Sequence, residues 1–173
     1  MFNKLSTKTL LIIFTLLLVA VVIYMYYDST HGERTFRSSL VSIDTADVTA
    51  IYLYPKATKH REVKLFKDDN QWKVSLKGNR SVLVSKGKVK NLITQLLQIK
   101  PVSVAAQNKS KWSEYNVDSS GTEVKVYEDN KNTLDLTIGK FTYQRPRSMM
   151  TYVRVAGDDN VYLVNGFVGW SFN

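Results

Sequence analysis

The sequence predicts an α+β fold, in which one N-terminal transmembrane helix precedes a strand-rich domain of antiparallel hairpins packed on one amphipathic helix. Residues 10–27 form an uncharged apolar run, and residues 89–97 place apolar side chains at helical spacing. Most of the remaining chain alternates apolar and polar residues with a period of two. The expected divisions are 1–27 for a cytoplasmic tip and anchor, 28–47 for a stalk, and 48–173 for an extracytoplasmic domain.

The apolar run from Leu10 to Tyr27 predicts contact with a lipid bilayer. As a helix it would rise about 27 Å, close to the roughly 30 Å hydrocarbon core of a membrane. A cleaved signal peptide is the alternative, but Ala20 is followed by bulky residues and not by a small-residue cleavage site. Lys4 and Lys8 precede the run without an acid. This asymmetry predicts a single-pass protein of the cytoplasmic (inner) membrane, with its N-terminus inside and its C-terminal domain periplasmic or otherwise extracytoplasmic.

The order of elements within the domain is predicted as four strands, a helix and four strands. The helix stripe comprises Val89, Leu92, Ile93, Leu96 and Leu97, with Ser85 as a cap and Pro101 beyond the end. A weaker helical turn is predicted at Ser110–Tyr115. The predicted strands are Val48–Tyr54, Glu62–Lys67, Trp72–Leu76, Ser81–Val84, Thr122–Tyr127, Thr133–Ile138, Met150–Val155 and Val161–Val164.

Several stretches together resemble a bacterial family, the domain of unknown function 4340, and particularly its Bacteroidetes-type members. The resemblance implies a membrane-associated accessory protein of ABC-type export systems of the gliding-motility kind, with no established catalytic residues. Members of that family are usually longer, which implies that this chain corresponds to an N-terminal half. The similar stretches are Arg34–Leu40, Ile51–Pro55, Lys109–Tyr115, Asn116–Asp118, Gly121–Tyr127, Ile138–Lys140, Tyr152–Arg154 and Val161–Val164.

Reactive side chains are few, which predicts that the protein is not an enzyme and carries no cofactor or metal. The absence of cysteine excludes disulfides, thiolate zinc sites and cysteine nucleophiles. His31 and His60 are far apart in sequence, and no Gly-x-Ser-x-Gly elbow is present. Acid pairs such as Asp68-Asp69 and Asp158-Asp159 fall at predicted hairpin turns, where Asp is favoured because it bonds nearby backbone.

The basic charge is concentrated between Lys56 and Lys90, where 11 Lys or Arg residues face 3 acids. Such a segment predicts a site for anionic lipid head groups, an acidic glycan or an acidic protein surface. The bland alternative is a solvated lysine face that keeps the protein soluble and protects edge strands. Lys86, Lys88 and Lys90 complete the segment, and the candidate binding residues are Lys56, Lys59, Arg61, Lys64, Lys67, Lys73, Lys77 and Arg80.

Three functions are compatible with these patterns. The first is a membrane-anchored, non-enzymatic accessory or binding subunit that docks on a membrane protein complex, expected from the resemblance to be an ABC-type transporter. The second is a binder of anionic envelope lipid or glycan through the basic segment. The third is a hydrolase, which requires that the fold bring His60 together with a Ser and an acid in one cavity. A nucleic acid partner is not expected outside the cytoplasm, and the sequence leaves the oligomeric state open.

Overall fold

A computed structural model describes Lys8, Leu11 and residues 13–22, 39–144 and 148–172 of the chain. The chain divides into two compact units, Met1–Arg37 and Ser38–Asn173. The second unit contains helices α1 (Lys86–Leu97) and α2 (Trp112–Tyr115). Its strands are β1 (Val48–Tyr54), β2 (Val63–Asp68), β3 (Gln71–Leu76), β4 (Arg80–Leu83), β5 (Pro101–Ala106), β6 (Thr122–Glu128), β7 (Lys131–Gln144), β8 (Ser148–Val155) and β9 (Val161–Asn165).

All nine strands pair into one antiparallel sheet in the order β4-β3-β2-β1-β6-β7-β8-β9-β5. The two edge strands, β4 and β5, are consecutive in the chain, and α1 connects them. A flat sheet of this width would separate its edges by about 38 Å. Helix α1 supplies about 18 Å of that path, so the connection has little slack. Right-handed twisting and coiling of the sheet shortens the path between its edges.

One face of the sheet is apolar because the period-two residues of neighbouring strands are in register. Ile51 lies opposite both Leu65 and Val126, and Val126 lies opposite Leu134. All of these side chains are buried. Helix α1 adds Val89, Ile93 and Leu96 to the core, and Ile99 follows its end. Burial of these aliphatic groups is the main favourable contribution to folding.

The opposite face of the sheet is polar over β1, β2 and β6, and covered over β7 and β8. Tyr52 lies opposite Lys64 and Lys125, and the Lys125 ammonium lies 3.5 Å from the Asp135 carboxylate. Over β7 and β8, residues 107–121 cross the sheet and are called the docked segment below. Val117 within it is fully buried.

Two glycines let the docked segment approach the sheet this closely. A Cβ at Gly139 would collide with the Tyr115 carbonyl oxygen and the Val117 side chain, and a Cβ at Gly121 would collide with the Asn116 carbonyl oxygen. The β7–β8 register also shifts just after Ile138. This bulge ends the alternation that β7 shares with β6 and moves the following side chains to the other face.

The first unit is helical at Lys8, Leu11 and residues 13–22, where the Thr15 hydroxyl donates to the Leu11 carbonyl oxygen at 2.9 Å. Within the described residues, no helix is long and apolar enough to cross a membrane. Residues 23–27 of the predicted anchor and residues 28–38 of the predicted stalk lie outside the described residues. Residues 39–47 of that stalk belong to the second unit, where Leu40 and Val41 are buried.

The predicted fold class is therefore wrong. The structure is a large antiparallel sheet with few short helices, and the predicted transmembrane helix is not found in the described residues. The period-two pattern identified strand segments but not their union into one sheet, because pairing partners are set by contacts distant in sequence. The helix stripe is also narrower than predicted, since Leu97 is exposed, and the Ser85 side chain makes no capping hydrogen bond.

The missed strand, β5, begins at the proline that the sequence analysis assigned to a helix end. Proline lacks the N–H that an inner strand must donate, but the first position of an edge strand tolerates it. The predicted hairpin turns are confirmed: Asp69 and Asn70, and likewise Asp129 and Asn130, have the positive φ values of a tight two-residue turn.

Replacing Gly139 by Ala tests the close packing of the docked segment. We expect Gly139→Ala to lower the free energy of unfolding by about 2–3 kcal/mol, because the new methyl group must displace backbone. Gly87→Ala is the matched control: it lies in the first turn of α1, its nearest neighbour would be the Ser85 hydroxyl at 3.6 Å, and it should be neutral or stabilising by up to about 1 kcal/mol. Urea unfolding measures both, and equal stabilities of the two variants would contradict the packing described.

Candidate functional site

A cavity of the second unit lies between α1 and the ends of β2 and β3. Its volume is about 500 Å³, within the range of small-molecule sites. The apolar part of its lining comes from the sheet and from α1 and comprises Val48, Trp72, Val89 and Ile93. Ala46 also lines the cavity, and the polar part comprises Thr45, Lys67, Asn70, Lys86, Lys90 and Thr94. The cavity therefore joins an apolar floor to a cationic rim, and is called the lysine cavity below.

Strand register and helix spacing bring the rim lysines together. Lys67 is the cross-strand partner of Trp72, so the two side chains stand on the same face of the sheet. Lys86 and Lys90 are four residues apart on α1 and therefore adjacent on its surface. The turn between β2 and β3 contributes Asn70, which closes the same end.

The rim is electrostatically unbalanced. Among the described residues, no carboxylate lies within 4 Å of the ammonium groups of Lys67, Lys86 or Lys90. The neighbouring Asp68 carboxylate instead pairs with Lys73, whose ammonium donates a hydrogen bond to it at 2.6 Å. Asp44 accepts the backbone N–H of Ala46 at 2.9 Å. Three adjacent ammonium groups attract an anion, because its charge would offset their mutual repulsion.

The structure distributes the eight candidate basic residues of the sequence analysis over several places. Lys67 alone reaches the lysine cavity. Lys64 lies on the polar face of the sheet, over the Tyr52 and Phe66 rings. Lys73 is paired with Asp68. The remaining residues lie in or beside the β1–β2 and β3–β4 connections, which are at the end of the sheet opposite the lysine cavity: Lys56, Lys59, Arg61, Lys77 and Arg80.

Of the cavity lining, the sequence-predicted candidates include Lys67 alone; Trp72, Val89, Lys86 and Lys90 are among the lining residues that they lack. Lys86 and Lys90 belong to the basic segment, and their spacing on a predicted helix was the available signal. No local pattern identified Trp72 or Val89 as cavity residues, because an apolar residue at either position is equally typical of the hydrophobic core.

A second cavity, of about 310 Å³, brings His60 together with Asp118, Ser119 and Glu123. This is the combination that the hydrolase hypothesis requires. However, within the described part of the chain no hydrogen bond joins His60 to Ser119 or to either acid. The Asp118 carboxylate instead accepts the backbone N–H of Ser120 at 3.0 Å and its hydroxyl at 2.6 Å. A serine nucleophile needs a base within hydrogen-bonding distance, and none of the described residues supplies one to Ser119.

Arg154 forms the wall of this second cavity and has a structural role. Its Nε donates to the Val117 carbonyl oxygen at 2.9 Å, and its Nη2 donates to the Thr137 hydroxyl at 3.2 Å. The guanidinium also stacks on the Trp112 ring, 4.0 Å from the ring centroid. The Trp112 indole in turn donates to the Asp159 carbonyl oxygen at 3.0 Å. These contacts hold the docked segment on the sheet.

A family model for a domain of unknown function, DUF4340, matches residues 75–173, which are more than half of the chain. The chain belongs to the DUF4340 family. The family predicted from the sequence motifs is thus confirmed. No curated protein and no solved structure matches the chain.

The DUF4340 match begins inside β3 and includes α1, the docked segment and β5–β9. Lys86 and Lys90 lie within it, whereas Lys67 and Trp72 precede it. The matched residues pair with β1 through β6, so the folded sheet of this DUF4340 protein extends beyond the matched part.

The ionisation of Asp118, which lies in the docked segment, makes the stability of the fold depend on pH. The two hydrogen bonds from Ser120 lower the pKa of its carboxyl below the ordinary value. Because the folded-state pKa is lowered, the contribution of Asp118 to stability is complete above about pH 4, the unfolded pKa, and is lost as pH falls through the folded pKa.

We expect Asp118→Ala to reduce the free energy of unfolding by about 1 kcal/mol at pH 7, since two solvent-accessible hydrogen bonds are lost. The difference from the unmodified chain should narrow as pH is lowered below about 4. Asp118→Asn is the control, because it keeps the acceptor oxygen and should lose less at neutral pH. Urea unfolding at several pH values measures the difference, and a gap that stays constant from pH 7 to pH 3 would argue against this role.

Proposed function

We propose that the domain is a non-enzymatic binding domain that holds an amphiphilic anion in the lysine cavity. The observation that carries the proposal is the group of three lysines without carboxylate partners, among the described residues, around a cavity with an apolar floor. A solvated lysine face would not by itself enclose a cavity. Here the same lysines border Trp72 and Ile93, so charge and apolar surface are offered together.

The ligand chemistry follows from this lining. A phosphate or carboxylate head would lie among Lys67, Lys86 and Lys90, and an alkyl or other apolar part would cover Val89 and Ile93. This arrangement favours an anionic lipid-like molecule over a purely polar acidic glycan, which would leave the apolar floor without a partner. Lysine, a flexible point charge, suits a phosphate or carboxylate without demanding one planar geometry.

The wider setting stays a prediction. A role as an accessory subunit of an ABC-type transport complex, a Bacteroidetes-type source and an association with gliding motility rest on the family resemblance. The extracytoplasmic location at the inner membrane rests on the N-terminal apolar run and the lysines that precede it. A binding role is consistent with the second cavity, where His60 and Ser119 lack the hydrogen bond that catalysis by a serine would need.

Titration with three probes tests the proposal on the full chain. Decyl phosphate carries both parts of the expected ligand, inorganic phosphate carries only the charge, and a neutral decyl glucoside carries only the chain. We expect decyl phosphate, kept below its micelle concentration, to bind most tightly, and its affinity to fall as salt screens the lysines. Calorimetry and the fluorescence of Trp72 report binding.

The matched variants separate the cavity from general basicity. Replacing Lys67, Lys86 and Lys90 together by Gln should weaken decyl phosphate binding about tenfold or more. Lys88→Gln, on the same helix but outside the lining, should leave the affinity unchanged. If decyl glucoside bound as tightly as decyl phosphate, or if the triple variant and Lys88→Gln behaved alike, the lysine cavity would not be the anion site.

A further inference from the structure

A cluster of aromatic side chains lies at the end of the sheet opposite the lysine cavity. Phe141, Tyr143 and Met149 come from β7 and β8, and Phe167 and Trp170 follow β9; these residues are called the aromatic tip below. The Phe141 ring lies 5.8 Å from that of Tyr143 and 4.8 Å from that of Phe167, and Phe167 lies 6.1 Å from Trp170. The cluster is contiguous, yet Tyr143 is 70% exposed and Trp170 is 79% exposed.

The strand register makes this tip protrude. Thr122, the first residue of β6, pairs with Ile138, so β7 continues from residue 139 to 144 without a partner in β6. Six residues of strand extend about 20 Å. The shift after Ile138 pairs Phe141 with Thr151, which directs the aromatic residues to the face that bears Ile138 and Val153.

The aromatic tip is held in place and is not a loose terminus. The Thr151 hydroxyl donates to the Gly166 carbonyl oxygen at 2.7 Å and accepts the N–H of Val168 at 3.2 Å. The N–H of Gly166 donates to the Met149 carbonyl oxygen at 2.7 Å. Phe172 is buried just beyond Trp170. A fixed set of exposed aromatic rings costs little ordering entropy when it binds.

Charge indicates what the tip contacts. Residues 139–144, 148–152 and 164–172 contain no Asp or Glu. The β1–β2 and β3–β4 connections at the same end carry five basic residues and one acid, Glu62, which accepts a hydrogen bond from the Tyr54 hydroxyl. The basic residues are Lys56, Lys59, Arg61, Lys77 and Arg80. Tyr and Trp favour the boundary between lipid and water because one part of each ring system is apolar and another is polar. Rings at the tip with basic residues behind them are complementary to an anionic bilayer surface.

We infer that the aromatic tip inserts shallowly into an anionic lipid surface, with the basic connections supplying attraction over a longer range. This surface is separate from the lysine cavity, and the inference does not depend on the proposed function. The basic residues lie well behind the tip. At low salt, where the Debye length is about 30 Å, their electrostatic attraction extends to the bilayer. At physiological salt, where the Debye length is about 8 Å, this attraction is largely screened.

The absence of cysteine allows a position-specific test on the full chain. Tyr143→Cys labelled with an environment-sensitive nitrobenzoxadiazole dye reports the tip. Leu83→Cys, at an exposed apolar position (62%) on edge strand β4, is the matched control. Both variants share residues 10–27, so any lipid contact of that apolar sequence is common to the two. The probes are vesicles of phosphatidylglycerol and phosphatidylcholine.

Anionic vesicles should raise and blue-shift the emission at position 143 and leave position 83 unchanged, with a weaker response to phosphatidylcholine. Replacing Lys56, Lys59 and Arg61 by Gln should weaken the response at position 143 about tenfold at low ionic strength and much less at physiological salt. As a second measurement, brominated lipid should quench the tryptophan fluorescence of the unmodified chain more than that of Trp170→Phe.

Three results would overturn the inference. Equal responses at positions 143 and 83 would mean that lipid contact is not specific to the tip. No response at position 143, together with equal bromine quenching of the unmodified chain and Trp170→Phe, would mean that the tip does not meet lipid. Emission at position 143 that rises with protein concentration in the absence of vesicles would assign the surface to a second copy of the chain.

Discussion

The close approach of the docked segment to β7 is the constraint on which the arrangement of the sheet's polar face depends. It is possible only because Gly121 and Gly139 present no side chain where the backbone carbonyls of residues 115 and 116 pass. Arg154 then binds the Val117 carbonyl oxygen and stacks on Trp112, so that one side chain joins the segment to β8. The half-buried guanidinium of Arg154 provides the hydrogen bond that the buried Val117 carbonyl requires. This structural contact accounts for the position of Arg154 without a catalytic role.

The docked segment and the two proposed surfaces occupy different parts of the sheet. Two of the stretches that resemble the family, around Trp112 and Gly121, hold the docked segment on the sheet. The lysine cavity lies on the other face, where α1 meets β3. The aromatic tip begins two residues after Gly139. The register shift between Ile138 and Phe141 places Phe141 opposite Thr151, on the face that bears Ile138 and Val153. The irregularity in β7 thus determines on which face the residues at its exposed end lie.

Much of the local structure could be predicted from the sequence, but its assembly could not. β1 has the predicted limits, and a predicted turn is found at Asp69 and Asn70, where both residues have positive φ values. Strand β5 was missed because Pro101 is also typical of a helix end, and only an edge position makes it acceptable in a strand. The transmembrane helix was inferred from an uncharged apolar run and its flanking residues, but within the described residues no helix is long and apolar enough to cross a membrane.

The candidate site was predictable only as a basic segment. The period-two alternation that identifies strands places Lys64 on the same face of β2 as Phe66, and Lys67 on the other face. It does not show which of these faces a helix covers. That depends on α1 crossing from one sheet edge to the other, a contact between residues far apart in the chain. Lys86 and Lys90 therefore join Lys67 only in the folded sheet, while five other basic residues lie at its opposite end: Lys56, Lys59, Arg61, Lys77 and Arg80.

Hydrogen exchange measured by mass spectrometry on the full chain tests most directly whether the docked segment is part of the folded sheet. The N–H of Val117 donates to the Trp112 carbonyl oxygen at 3.0 Å, and the N–H of Gly121 donates to that of Asp118 at 3.1 Å. The account predicts that peptides covering residues 112–121 exchange nearly as slowly as those of β6. Exchange as fast as that of the exposed turn at residues 129–131 would contradict it.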